Sequence, residues 1–62
     1  MDQLRPGDHV LLLDGPYMGR EATVEQVDQE AGLAHLRLEL APGHSVTIVE
    51  YLARLRRLDA AP

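Results

Sequence analysis

The pattern of apolar and polar positions divides the chain into short apolar-rich runs separated by clusters of turn residues. Glycine, proline and aspartate mark these clusters, which lie at positions 5–8, 14–16, 28–32 and 41–44. Short apolar runs between such clusters are typical of antiparallel strands joined by hairpins. The pattern therefore predicts four strands, which cover His9–Leu13, Arg20–Asp28, Leu33–Leu40 and Ser45–Val49.

The third run gives the clearest strand signal. Ala34 and the leucines at positions 36, 38 and 40 alternate with His35, Arg37 and Glu39, a period of two that predicts one buried face. The fourth run is β-branched from Val46 to Val49, which also favours a strand. In the second run, Glu21 and Glu25 would suit a helix, but its β-branched residues favour a strand.

The segment from Glu50 to Leu58 allows two interpretations. Its leucines at positions 52, 55 and 58 have the spacing of an amphipathic helix of about two to three turns. A turn at Tyr51-Leu52, followed by a short closing strand over Arg54–Leu58, is the alternative. Residues 59–62 are predicted to be a frayed end.

Length and composition limit the fold to one small domain, spanning residues 1–62. A chain of 62 residues has room for one core, which must be aliphatic because there are two tyrosines and no phenylalanine or tryptophan. Cysteine is absent, which leaves no disulfide framework. The start of the chain has neither a secretory pattern nor a long apolar run, so we expect a soluble, cytoplasmic protein.

The sequence predicts neither an enzyme nor a metal or cofactor site. Histidines 9, 35 and 44 lack the close spacing of zinc ligands, and Ser45 directly follows His44 without forming a nucleophile–base pair. No glycine-rich phosphate loop is present.

The net charge of the chain argues against nucleic-acid binding, whereas a local run of arginines argues for it. A net charge of −4 opposes nonspecific binding to phosphate backbones. Arg54, Arg56 and Arg57 nevertheless form a short basic run, to which Arg20 and Arg37 could be added on a closed sheet. This run is the candidate contact for RNA or DNA.

Self-association is a further hypothesis. If the first run is a strand, Leu11 and Leu13 point away from Val10 and Leu12. One of these faces must lie outside a small barrel, so Leu11 and Leu13 would form an exposed apolar stripe. Such a stripe is typical of an interface, here in a homo-oligomer or an accessory structural subunit of a larger complex.

The chain also resembles a known family. Gly7-Asp8-x-Val10-x-Leu12-x-x-Gly15-Pro16-Tyr17 resembles the start of a KOW motif, and is most similar to the C-terminal domain of NusG-type transcription factors. The similarity continues through Thr23-Val24-x-x-Val27-Asp28, Leu36-x-Leu38, Leu40, Ile48, Leu52 and Leu55. It covers roughly residues 5 to 58 and contains no counterpart of the NusG N-terminal domain, so it describes a KOW domain standing alone.

The resemblance implies an all-β fold, a small five-stranded antiparallel SH3-like barrel. It therefore favours the turn and closing strand over the helix for residues 50–58. We expect most of the core to come from Val10, Leu12, Val24, Val27, Leu36, Leu38, Ile48 and Leu55. Two positions depart from the family pattern: Ala22 replaces its characteristic glycine, with Gly19 as the alternative source of flexibility, and the Ala41-Pro42-Gly43 turn is one residue longer.

The resemblance also implies a function. In NusG-like KOW domains, the loop equivalent to residues 15–19 contributes an aromatic side chain to a partner-binding surface, a role that would fall to Tyr17. Met18 and Arg20 complete the candidate protein-binding site. The alternative is that Tyr17 packs over the end of the barrel. The sequence thus predicts protein recognition in the transcription or translation apparatus.

Overall fold

The computed structural model describes residues 3–58 and shows a single antiparallel sheet of five strands. One turn of 3-10 helix, Leu52–Arg54, connects the last two strands. The predicted frayed end at 59–62 lies outside the described residues. The prediction of a small all-β, SH3-like fold is confirmed. The strands are β1 (His9–Leu12), β2 (Glu21–Asp28), β3 (Leu33–Ala41), β4 (His44–Tyr51) and β5 (Leu55–Arg57).

The strand order is β4-β3-β2-β1-β5, so β5 joins the sheet beside β1. Leu36 on β3 lies between Val24 on β2 and Ile48 on β4. The pairing of β2 with β3 shifts register after Val24, and such bulges increase the local twist of a strand. The twist helps the sheet to curl around one apolar face.

That apolar face forms the core. Burying a leucine or valine side chain contributes about 1.5–3 kcal/mol, so this cluster supplies most of the stabilisation available to so short a chain. All eight predicted core residues belong to it or pack against it, while Ala22 was not predicted. Ala34 is buried, as the alternation of the third run predicted, but the prediction is wrong for Leu40, which is 39% exposed beside the register shift at the end of β3. The buried residues are Val10, Leu12, Ala22, Val24, Ala34, Leu36 and Leu38. Leu4, Tyr17, Val27, Val46, Ile48, Leu52 and Leu55 pack against them.

The segment after β4 is a turn and a strand, as the resemblance implied, and the helical interpretation is wrong. Leu55 is extended, with φ −117° and ψ 140°. The Leu13 N–H donates to the Arg54 carbonyl over 2.9 Å, which fixes the start of β5 beside the end of β1. Leu52 and Leu55 both reach the core because one 3-10 turn advances the chain by three residues. The spacing of three that suggested a helix has this origin.

The two positions that depart from the KOW pattern, Ala22 and the Ala41-Pro42-Gly43 turn, leave the five-stranded sheet intact. Ala22 lies within β2 opposite Val10, and none of the non-glycine residues described has a positive φ. Gly19 instead adopts φ +89°, and its N–H donates to the Leu12 carbonyl over 2.8 Å. The β3–β4 pairing shifts register between Glu39 and Ala41, at the start of the Ala41-Pro42-Gly43 turn.

Candidate partner-binding surface

The loop between β1 and β2, residues 13–20, is held by backbone hydrogen bonds. The Leu12 N–H donates to the Arg20 carbonyl over 2.9 Å at its base. Within the loop, the Met18 N–H donates to the Gly15 carbonyl over 3.1 Å, and the Gly15 N–H donates to the Asp14 carboxylate over 2.7 Å. The loop therefore presents its side chains from a defined backbone.

The three candidate residues of this loop differ in exposure. Tyr17 is half-buried and packs against the core, in agreement with the alternative that it covers the end of the barrel. Met18 is 66% exposed, the most exposed of the large apolar side chains in residues 3–58. Arg20 is also exposed, at the junction with β2. Tyr17 thus anchors the loop, while Met18 and Arg20 face solvent.

A charged cluster connects this loop to the end of β4. The Glu50 side chain is only 13% exposed, and its carboxylate lies 3.6 Å from the Arg54 guanidinium. A side-chain carbon added at Gly15 would lie 3.5 Å from Glu50 Oε2, so this carboxylate lies directly behind the loop. The Arg54 guanidinium lies 5.3 Å from the centre of the Tyr51 ring. Sequence reasoning missed this cluster, because a spacing of four brings two side chains together on an α-helix, whereas Glu50 and Arg54 meet here across the end of β4 and a 3-10 turn.

The basic run does not form one cationic patch. Arg54 is engaged by Glu50, whereas Arg57 Nε lies 3.8 Å from Asp8 Oδ2. Arg56 and Arg57 are consecutive on β5, and consecutive strand residues point to opposite faces.

The other two arginines of this hypothesis lie elsewhere in the fold. Arg37 pairs with Glu25 over 3.1 Å on the β2–β3 part of the sheet. Arg20 lies on the loop described above. The structure therefore does not gather the five arginines into one surface.

Leu11 and Leu13 form a weaker apolar stripe than the sequence suggested. Leu11 is half-buried, between Glu21 on β2 and Arg56 on β5 in the strand register. Leu13, just beyond β1, is 45% exposed. The apolar surface at this face is thus mainly that of Leu13.

The three histidines lie apart. His9 Nδ1 is 3.4 Å from Thr23 Oγ1, while His35 and His44 lie on β3 and β4. Residues 3–58 contain no group of three or more histidine, cysteine or acidic side chains arranged to hold a metal ion. No helix in that range is long and apolar enough to cross a membrane.

Comparisons with known proteins agree with this architecture. The fold matches a chain in the structure described as "Crystal Structure of MjSpt4:Spt5 complex conformation B" with a TM-score of 0.79 and 23% identity. The match covers 100% of this chain and 42% of that chain. No curated protein matches the sequence. The model of the KOW motif matches residues 6–37, more than half of the sequence, and the chain belongs to the KOW family.

Proposed function

We propose that this chain is a non-catalytic module that recognises a protein partner through residues 15–19. The observation that carries the proposal is the exposure of Met18, at 66%, on a loop whose neighbouring Tyr17 packs against the core. Exposed methionine and aromatic side chains are enriched in protein interfaces. A loop that is ordered before binding loses little conformational entropy when the partner docks.

The contact would combine apolar and charged groups. Met18 supplies a flexible apolar surface, and the exposed part of Tyr17 extends it. Arg20, at the edge of this surface, would pair with a carboxylate of the partner. A charged pair at the rim contributes more to the association rate and to specificity than to affinity.

The family and the fold support the setting. The structural match is to a chain in an Spt4:Spt5 complex, an assembly of proteins. On this basis we propose that the module works in the transcription or translation apparatus, and we keep the proposal that it is cytoplasmic. The net charge of −4 and the ion pairs of Arg54 and Arg57 favour a protein partner over RNA or DNA.

The test is an affinity pull-down from a lysate of the source organism, with and without nuclease. We expect a protein partner that survives nuclease treatment and is lost with Met18→Ser. The matched control is Leu40→Ser, because Leu40 is also an exposed apolar residue, at 39%, but lies on β3. Tyr17→Phe, which keeps the packing of the ring, should retain the partner.

Two results would contradict the proposal. If the captured material is nucleic acid, or if the partner disappears after nuclease treatment, the chain recognises nucleic acid and the arginines at positions 54, 56 and 57 become the candidates to test. If Met18→Ser and Leu40→Ser capture the same partner in equal amounts as the wild type, the loop is not the binding site. Circular dichroism of each variant distinguishes loss of binding from loss of fold.

A further inference from the structure

Strand β4 is a long free edge of the sheet. Among the residues described, β4 pairs with β3 alone, and β5 returns to pair with β1 at the other end of the sheet. In an antiparallel pair, alternate residues of an edge strand direct their N–H and C=O groups away from the neighbouring strand. These groups are a template for one more strand.

The two edges of the sheet differ in how they are protected. Natural proteins block edges with short strands and charged side chains. Strand β5 has both, since it is three residues long and includes Arg56 and Arg57. Strand β4 has eight residues. Its one acidic side chain, Glu50, is largely buried and paired with Arg54.

None of the four side chains on the outer face of β4 is charged, and the Arg54 guanidinium lies 5.3 Å from the centre of the Tyr51 ring. The four side chains are those of Ser45, Thr47, Val49 and Tyr51, all exposed. Val49 is 51% exposed and Tyr51 55% exposed. β-Branched and aromatic residues of this kind stabilise a cross-strand neighbour by about 0.2–1 kcal/mol per pair.

We propose that β4 binds an extended segment of a partner protein as a sixth strand. The outer face predicts the chemistry of that segment: apolar side chains beside Tyr51 and Val49, and a lysine or arginine beside Ser45. Glu39 lies opposite Ser45 on β3, and the small serine lets a long cationic side chain reach across to its carboxylate. Adjacent strands are about 4.8 Å apart, so this reach spans two strand spacings.

The negative net charge of the chain argues against a second copy of this chain as the bound strand. Each copy of the chain carries a net charge of −4 over its whole length, and like net charges oppose association. A partner segment with a cationic residue avoids this repulsion. The proposal goes beyond the recognition loop, because it uses other residues and can succeed or fail independently.

The test is an NMR titration of the isotopically labelled chain with the acetylated and amidated peptide Ile-Thr-Val-Thr-Thr-Thr-Lys. Its odd-numbered residues would face Tyr51, Val49, Thr47 and Ser45 in antiparallel order. Two further peptides carry N-methyl groups on either the odd or the even residues. Only one of these two sets of N–H groups can point at β4. We expect one methylated peptide to bind about tenfold more weakly or worse, and the other to bind as the parent does.

Variants of the chain complete the test. Val49→Lys places a charge on the edge and should reduce binding about tenfold, whereas Gln29→Lys, the same charge change in an exposed turn, should not. Glu39→Gln should remove the preference for a terminal lysine over a terminal glutamate in the peptide. Met18→Ser should leave peptide binding unchanged, which separates this surface from the loop.

Three outcomes would overturn the proposal. Equal binding of both methylated peptides would mean that side chains alone make the contact. An absence of β4 shifts at millimolar peptide would mean that the edge does not accept a strand. Concentration-dependent dimerisation that Val49→Lys abolishes would identify a second copy as the occupant. If Val49→Lys fails to fold, Thr47→Lys tests the same edge.

Discussion

Replacing Ala22 with glycine is the sharpest test of how this chain departs from its family. Ala22 is only 5% exposed and lies opposite Val10 on β1. Ala22 has no positive φ, so the residue needs none of glycine's extra freedom. A22G therefore introduces the glycine that the resemblance to the KOW motif implies, at a position where this fold does not require it.

Two contributions determine how much A22G should lower the free energy of unfolding. Removing a buried methyl group costs about 0.8 kcal/mol, and the greater backbone entropy of unfolded glycine costs about 0.5–1 kcal/mol. Together they lower the free energy of unfolding by about 1.3–1.8 kcal/mol. A domain of 62 residues has a total of about 3–9 kcal/mol. The midpoint temperature should fall by roughly 5–15 °C.

Urea unfolding followed by circular dichroism measures this difference, with an unchanged m-value showing that the fold is retained. Ala41→Gly is the matched control, because Ala41 is exposed near the end of β3 and should lose only the backbone part. If A22G is as stable as the wild type or more stable, the backbone at Ala22 has the glycine-type conformation of the family. The register of Ala22 opposite Val10 would then be wrong.

Two further variants test the core and the β1–β2 loop. Leu36 on β3 is fully buried between β2 and β4, so we expect Leu36→Ala to lower the free energy of unfolding by about 2–5 kcal/mol. Urea unfolding measures this loss. The control Leu40→Ala, at an exposed site on the same strand, should lower the free energy of unfolding far less. Equal losses would contradict the inward orientation of Leu36. Gly19→Ala should lower the free energy of unfolding by about 1–2 kcal/mol, because the φ of +89° is unfavourable for alanine. No atom lies within 4 Å of the added carbon, so steric overlap adds nothing to this loss. Gly19→Asn should be less destabilising, because asparagine tolerates a positive φ better. A neutral Gly19→Ala in thermal unfolding would refute the left-handed turn.

The strands were predictable because their signals are local. The alternation around Leu36 and Leu38 identifies β3 without knowledge of any neighbour. Strand β4 was predicted too short, since its extension to Tyr51 depends on pairing with β3. Ala22 escaped the predicted core because alanine gives a weak hydrophobic signal in a sequence. Leu40 was wrongly assigned to the buried face, because its exposure follows from the register shift at the end of β3, which the alternation does not reveal.

The functional surfaces depended on long-range structure to different degrees. The loop with Tyr17 and Met18 stands out as apolar residues within a turn motif, so sequence reasoning found it. The contact between Glu50 and Gly15 requires the loop to fold back towards the end of β4, which no local pattern encodes. The free edge of β4 follows from the strand order, and this depends on the pairing of β5 with β1.

The pairing of β1 with β5 also has a kinetic consequence. Strands β2, β3 and β4 are consecutive hairpin neighbours, whereas Leu11 and Arg56 come from opposite ends of the chain. Closing a long loop costs more entropy than closing a short one, so the β2–β3–β4 meander can form before β5 docks. Because β5 is short, its undocking is a low-energy local opening of the native state. The Leu13 N–H donates to the Arg54 carbonyl and the Leu58 N–H donates to the His9 carbonyl, so hydrogen exchange at these two amides reports the undocking of β5 from β1. Amides at the centre of β3 should exchange only by global unfolding.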